Sequence, residues 1–310
     1  MSITDPVVLA IDAGQTAIKV RVEQPAAAPY ERLFPGIRTH EPLLPQLAAV
    51  THRVTAEQQL TVDVVAAGVS GLTRIESDAV ALQRLLALST QARRVILAHD
   101  SVTSFLGALG DGTGAVVAAG TGVVTLGVGR SRVARVDGWG NLIGDAGSGY
   151  WIGREAMDAV MRAHDGRGER TALSDVVAQK WPDIETAYIE LQAAADRVAQ
   201  VASLAKSVAE LAATDAVAAQ ICLRAARELS VSVTAALARV AEPGDDSPAV
   251  CAIGGVFRST LIMERFTDLL HESAPNARMQ MSLGSGIDGA TALAHLHPGH
   301  ALLSYVSIAD

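Results

Sequence analysis

The chain reads as an α/β protein built from two similar domains. Three observations carry that reading. Short apolar runs alternate with stretches of helical spacing: strands at 62–69 and 95–98, helices at 77–88 and 101–109. One supersecondary unit occurs twice. The run VVLAID at 7–12 leads into the turn Ala13-Gly14-Gln15-Thr16 and a second apolar run at 17–22. Residues 116–119, the turn Gly120-Thr121-Gly122 and residues 123–128 repeat the design. Two apolar runs split by a small Gly-containing turn read as a β-hairpin. The offset from Gly14 to Gly120 is 106 residues, which reads as an internal duplication. Finally, the chain has 310 residues, and at roughly 150 per domain that suggests about two domains.

The remaining elements follow in order. A run with five glycines, DGWGNLIGDAGSGYW, covers 137–151 and precedes a helix at 150–164. No Gly or Pro lies between Pro182 and Pro243, and this Ala-, Leu- and Val-rich stretch reads as two or three helices. Thr214-Asp215 is the expected break, with an N-cap there. A polar loop at 242–248 leads to a strand at 249–253, then Gly254-Gly255 and a helix at 259–272. A Gly-rich turn at 283–289 precedes a short helix at 290–295. The expected organisation is a first domain at 1–112 and a second at 113–290. The second carries a helical insertion at 183–242, and a C-terminal helix at 291–310 is placed to return to the first domain.

Composition narrows the function. Hydrophobic residues make up 49% and charged residues 19%, a globular balance. The net charge of -8 argues against nucleic-acid binding, which needs a basic face. It argues equally against attraction to anionic lipid. Two distant cysteines, Cys222 and Cys251, exclude a disulfide scaffold and a Cys-rich metal site within one chain. A reduced, cytoplasmic setting follows, and Met1–Pro6 shows no signal-peptide pattern. The uncharged stretch 112–129 matches the shortest membrane-spanning helix in length, but its six glycines favour two buried strands around a turn.

Common nucleotide motifs are absent. A P-loop needs Gly-Lys-Ser/Thr, and none of the three lysines, Lys19, Lys180 and Lys206, follows a glycine. Gly284, Gly286 and Gly289 spell G-x-G-x-x-G, but too little chain follows for a dinucleotide fold. No Gly-x-Ser-x-Gly elbow is present. His295, His297 and His300 read as a solvated segment, not a metal cluster. His99 and Asp100, as strand neighbours, are expected to point to opposite faces.

What remains is a set of Gly-rich turns at strand ends. They are Asp12 to Thr16, Gly120-Thr121-Gly122, Gly254-Gly255-Val256 and Gly284-Ser285-Gly286. Glycine lets bare N–H groups approach a phosphate closely, so the set points to nucleotide binding. Asp12 in the first hairpin corresponds to Ala118 in the second. One acid on two equivalent backbones suggests a shared ligand with a cation near the first. Asp100 ends a strand and opens a helix, which suits either an N-cap or a general base at a ligand cleft. Trp139, between two glycines, is either a core aromatic or a platform for a sugar face.

The strings VVLAIDAGQTAIKV, AAGTGVVTLGV, GWGNLIGDAGSGYW and AIGGVFRS resemble the N-acetylglucosamine kinase group of the BadF/BadG/BcrA/BcrD ATPase family. That family belongs to the actin–hexokinase superfamily. The resemblance covers 7–151 and 251–292. It implies two ribonuclease-H-like domains hinged around a nucleotide cleft, with ATP and a sugar meeting inside. It implies that Asp12 holds Mg²⁺ through water, and that Gly14, Gln15 and Thr16 line the ATP phosphates. Gly120, Thr121 and Gly122 would form the second phosphate turn, and Gly254, Gly255 and Val256 would face the adenosine. Asp100 would take the sugar hydroxyl proton. Ser70, Gly71, Trp139, Gly140 and Asp145 would position the sugar. A homodimer is implied as well.

Four positions depart from the family pattern. Gln15 replaces a common Gly. Val124 stands where a sugar-contacting Asn is expected, another such Asn is missing near His40, and Ala146 replaces an acid. The ATP machinery therefore reads as intact and the N-acetyl-sugar pocket as altered, which leaves a different sugar open. Two other functions compete. One is an ATPase activator that shares an iron–sulfur cluster between subunits. The other is a sugar-sensing regulator without catalysis. Retention of Asp12 and Asp100 favours the kinase.

Overall fold

The computed structural model describes residues 6–87, 90–244 and 247–310. The expectations at the chain start, at the end of the helix predicted for 77–88 and in part of the 242–248 loop lie outside them. The chain divides into two compact units. One comprises residues up to 113, 128–133 and 281–310; the other comprises 114–127 and 134–280.

The first unit opens with β1 (Val8–Ala13), β2 (Ala17–Glu23) and β3 (Tyr30–Pro35). It continues with α1 (Leu43–Gln58), β4 (Val64–Val69), α2 (Ala79–Leu86), β5 (Arg94–His99) and α3 (Asp100–Leu109). β1 and β2 pair antiparallel, as the hairpin pattern predicts, while β4 and β5 extend the sheet parallel to β1. β1 and β4 are apolar almost throughout because they are central strands buried on both faces. β3, at the sheet edge, alternates instead, which is why it carries no apolar run. Leu43, Leu47, Val50 and Val54 give α1 one buried stripe, and Gln59 ends it in the left-handed conformation. The core gathers Leu9, Ile11, Leu47, Val65, Leu82 and Leu97.

The second unit holds β6 (Gly114–Ala119), β7 (Val123–Val128) and β8 (Val133–Val136). It then runs through α4 (Gly149–His164), α5 (Leu173–Lys180), α6 (Ala187–Ala193), α7 (Arg197–Ala202), α8 (Leu204–Leu211) and α9 (Ala216–Val240). β9 (Ala249–Ile253), a 3₁₀ turn at Gly255–Arg258, α10 (Thr260–Ser273) and β10 (Arg278–Met279) complete it. The chain ends in the first unit with α11 (Gly286–Ala294), a 3₁₀ turn at Ala301–Tyr305 and β11 (Val306–Ala309).

The two sheets run β11-β5-β4-β1-β2-β3 and β10-β9-β6-β7-β8. The order β4-β1-β2-β3 in one matches β9-β6-β7-β8 in the other, so the duplication exceeds the hairpin read from sequence. It includes third strands, β3 and β8, that the sequence reading lacked. The uncharged stretch at 112–129 forms β6 and β7; among the described residues no helix is long and apolar enough to cross a membrane.

Three expectations are corrected. The region between Pro182 and Pro243 holds α6 to α9, four helices among the described residues, because breaks at Ala194 and Ser203 come without Gly or Pro. The longest, α9, starts where Asp215 Oδ1 accepts the Ala218 N–H at 2.8 Å, the predicted cap. Second, α11 starts at Gly286, not 290, because Ser285 and Asp288 form a capping box. Its Gly289 abuts the Thr103 carbonyl of α3, so the two helices cross without room for a side chain. Third, no helix spans 291–310. Pro298-Gly299 stops it, and β11 pairs antiparallel with β5 instead.

Candidate active site

In the first unit three parallel strand ends converge. The register sets Asp12 beside Gly68, and Val69 beside His99. Asp12, Ser70 and Asp100 therefore lie at the carboxyl ends of β1, β4 and β5, where open α/β sheets bind ligands. The Ser70 N–H donates to the Ala13 carbonyl at 2.9 Å, tying β4 to the first turn. Within that turn the Gly14 N–H donates to the Ala17 carbonyl at 3.1 Å, and Gln15 and Thr16 are exposed. Gly71 sits at φ +75°, where a Cβ would lie 2.8 Å from Thr39 Cγ2.

The carboxylates differ in environment. Burial pushes Asp12 above the ordinary carboxylate range; Lys19 Nζ, 4.0 Å from Oδ2, opposes that, and the nearby charge of Asp100 adds to it. Burial acts on Asp100 in the same direction. It is outweighed by His99, by the Ser70 hydroxyl and by the Ser101 N–H, so Asp100 lies below the ordinary range.

His99 and Asp100 do not point apart. The strand ends at His99 and the helix begins at Asp100, so strand alternation no longer applies. His99 Nδ1 lies 2.9 Å from Asp100 Oδ1. The N-cap position of α3 is His99 itself, with Nδ1 3.2 Å from the Ser101 nitrogen; Asp100 is the first helical residue, not the cap.

Gly286 is a further site residue that the sequence reading left unassigned. A Cβ there would lie 2.6 Å from Asp12 Oδ2, so the start of α11 is packed onto that carboxylate. The signal was present in the Gly284-Ser285-Gly286 turn.

The second unit brings the other predicted residues together. The Gly120 and Thr121 carbonyls accept the N–H groups of Gly149 and Tyr150 at 2.8 and 3.0 Å, which fixes the turn to the start of α4. Gly120 faces open space. A Cβ on Gly122 would lie 2.8 Å from Asp145 Oδ2, so this turn touches the Trp139–Asp145 loop. Gly254, at φ +105°, packs on the Ala119 backbone. That places the Gly254-Gly255-Val256 turn directly beside the Gly120 turn; Gly255 is exposed and Val256 buried.

The Trp139–Asp145 loop hangs on Asp137. Oδ1 accepts the Asp145 N–H at 2.8 Å and Oδ2 the Ala146 N–H at 3.0 Å. Asp145 in turn accepts from the Gly140 N–H at 3.3 Å. Burial, with the charge of Asp137, raises the Asp145 carboxyl above its usual range; the Gly140 and Val123 N–H groups oppose this. Trp139 is 58% exposed, with the Arg135 guanidinium 4.6 Å from its ring centre, so it is not a core anchor. Of the departing positions, Val124 lies under Gly138, Ala146 binds through its backbone, and His40 is exposed beside Glu41.

Two further histidine and cysteine readings resolve. His300 is buried, not solvated: Nδ1 accepts the Leu302 N–H and Nε2 faces the Asp111 carbonyl, a packing role. Cys222 and Cys251 are both buried, so neither thiol is presented at the surface to share a cluster between subunits.

The chain is similar to known kinases in sequence and in fold. The sequence is 28% identical over 234 residues to an N-acetylmuramic acid/N-acetylglucosamine kinase of Clostridium acetobutylicum, covering 73% of this chain and 75% of that protein. It is 27% identical to an N-acetyl-D-glucosamine kinase of Dictyostelium discoideum, covering 76% of each. A Chromobacterium violaceum structure provisionally assigned as an N-acetylglucosamine kinase superposes with TM-score 0.70 at 22% identity, over 93% of this chain and 99% of that one. A ROK hexokinase from Thermus thermophilus superposes with TM-score 0.55 at 16% identity, over 93% and 98%. These structures share the two-sheet, actin-like ATPase fold. The model of the BadF/BadG/BcrA/BcrD ATPase family matches residues 10–294, and the chain belongs to that family.

Proposed function

We propose that the protein is an ATP-dependent sugar kinase. It transfers the γ-phosphoryl group to a hydroxyl of an amino sugar of the N-acetylglucosamine or glucosamine type, with Asp100 as general base. The observation that carries this is the convergence of Asp12, Ser70 and Asp100 on three adjacent parallel strand ends. The curated relatives, both kinases of N-acetylated sugars, support the substrate class.

Phosphoryl transfer asks the protein mainly for positioning and charge neutralisation. The N–H groups of Gly14, Gln15 and Thr16 in one unit, and of Gly120, Thr121 and Gly122 in the other, are suited to phosphate oxygens. Gly254, Gly255 and Val256 would take the adenosine. Trp139 would meet a sugar face, and Ser70, Gly71, Gly140 and Asp145 would orient its hydroxyls. Asp100 lies below the ordinary carboxylate range, so it is ionised and able to accept the hydroxyl proton.

Asp12 fits Mg²⁺. Its oxygens are hard donors, its largely buried charge faces a second carboxylate, and Lys19 Nζ lies 4.0 Å away. An ion there would be completed by water and phosphate oxygens, as Mg²⁺ sites commonly are. When bound, Mg²⁺ would neutralise charge on the transferring phosphate. Asp12 would anchor it, and Gly286 would leave that carboxylate its room.

The reading carries with it a cytoplasmic homodimer. Its test is coupled ADP release with Mg-ATP against N-acetylglucosamine, glucosamine, N-acetylmannosamine, N-acetylmuramic acid and glucose. Sugar-dependent turnover is expected with one or more; ATP binding without any sugar-dependent turnover contradicts the reading and favours a regulatory ATPase.

A further inference from the structure

His99 Nδ1 faces two partners at once. It lies 2.9 Å from Asp100 Oδ1 and 3.2 Å from the Ser101 nitrogen, with the Ser101 hydroxyl at 3.0 Å. An imidazole nitrogen either carries a hydrogen and donates, or carries a lone pair and accepts. It cannot serve both partners in one state.

The two states are unequal. With Nδ1 bare, it caps Ser101, and Asp100 Oδ1 is then buried with no hydrogen-bond donor among the described residues. With Nδ1 protonated, it donates to Oδ1, and the Ser101 N–H still has the Asp100 carboxylate to bond. A buried carboxylate oxygen left without a donor is the costlier defect. Oδ1 is buried although the Asp100 side chain as a whole is 28% exposed, which leaves the exposure to the Oδ2 edge.

We propose that His99 is a positioning residue for Asp100: its Nδ1–H binds Oδ1 and so aims Oδ2 at the acceptor hydroxyl. This rests on the reading of Asp100 as general base. In the transfer step the hydroxyl proton passes to Oδ2. The hydroxyl oxygen forms the new bond to the γ-phosphorus, and the bridging β–γ P–O bond breaks with its electron pair leaving on ADP. The Nδ1 proton stays on His99 throughout.

Asp12 faces Asp100 from β1, with Lys19 of β2 beside Asp12. Asp288 of α11 is paired with Arg21, and Arg94 at the far end of β5 is paired with Asp310.

Two measurements on the full chain test the proposal. Long-range ¹H–¹⁵N NMR of the histidine rings, with His99→Asn for assignment, reads the tautomer without any substrate. A protonated Nδ1 is expected, and a bare Nδ1 overturns the proposal. The second measurement is steady-state kinetics with Mg-ATP and the sugar turned over best. His99→Leu removes the donor and should lower kcat about 10- to 100-fold with both KM values within about twofold, while the acid limb of the kcat profile moves to higher pH. His99→Asn sets an amide N–H near the Nδ1 position and should restore kcat to within about fivefold of the parent, whereas His99→Gln, whose amide reaches elsewhere, should not. Equal kcat for Asn and Gln overturns the positioning role even if the Leu variant does not fold. Parent-like kcat in His99→Leu, in a protein that Asp100→Asn inactivates, overturns the positioning role alone. Parent-like turnover in Asp100→Asn removes the base and the positioning together.

Discussion

Asp137 holds Asp145 in place: one carboxylate oxygen takes the Asp145 N–H at 2.8 Å, and both residues adopt left-handed backbone, at φ 57° and 58°. Such backbone is uncommon outside glycine and concentrates at functional sites. Asp137→Ala strips the acceptor from the Asp145 and Ala146 N–H groups and unpins the loop that presents Trp139. We expect the sugar KM to rise by about tenfold, with the ATP KM within about twofold. An unchanged sugar KM in a folded variant would show that this loop does not hold the sugar.

Gly286 carries a second expectation. Because a Cβ there would lie 2.6 Å from Asp12 Oδ2, Gly286→Ala must displace that carboxylate. The kinase reading predicts a fall in kcat of about tenfold or more and a higher Mg²⁺ concentration for half-maximal rate. Parent-like Mg²⁺ dependence would separate Asp12 from metal binding.

How much of this was legible in the sequence depends on the residue. The hairpins, β4, β5 and α3 were readable because central strands are uniformly apolar and Gly marks their turns. β3 was not, since an edge strand with Glu31 and Leu33 turned outward looks like a loop. Asp12 and Asp100 were visible as acids at strand ends, and the duplication singled out Asp12. The contact of His99 with Asp100 was hidden because the strand stops between them, and periodicity does not reveal where a strand stops. Asp137 was also missed. Its role lies in backbone N–H groups eight and nine positions away, which no side-chain pattern records.

Asp288 links the fold to pH. The Ser285 N–H and Arg21 overcome the effect of burial and hold its carboxyl down at about 2. Arg21 Nη1 lies 2.7 Å from Oδ1, joining α11 to β2. A carboxyl lowered in the folded state contributes stability that is present above its unfolded value, roughly 3.9, and lost as pH falls toward 2. Asp288→Asn should therefore lower Tm at pH 7, and the gap to the parent should narrow from pH 4 downward. A gap that stays constant between pH 7 and pH 3 would contradict the role of the charge.

The measurement that bears most directly on the central claim is the kcat of Asp100→Asn with Mg-ATP and the best sugar acceptor. The account predicts a loss of at least about 10²-fold, with ATP affinity within about threefold of the parent, because the variant keeps the fold and the phosphate turns but cannot accept the hydroxyl proton. Turnover within a few-fold of the parent would contradict it, and Asp100 would then be a buried helix-start residue and not the base.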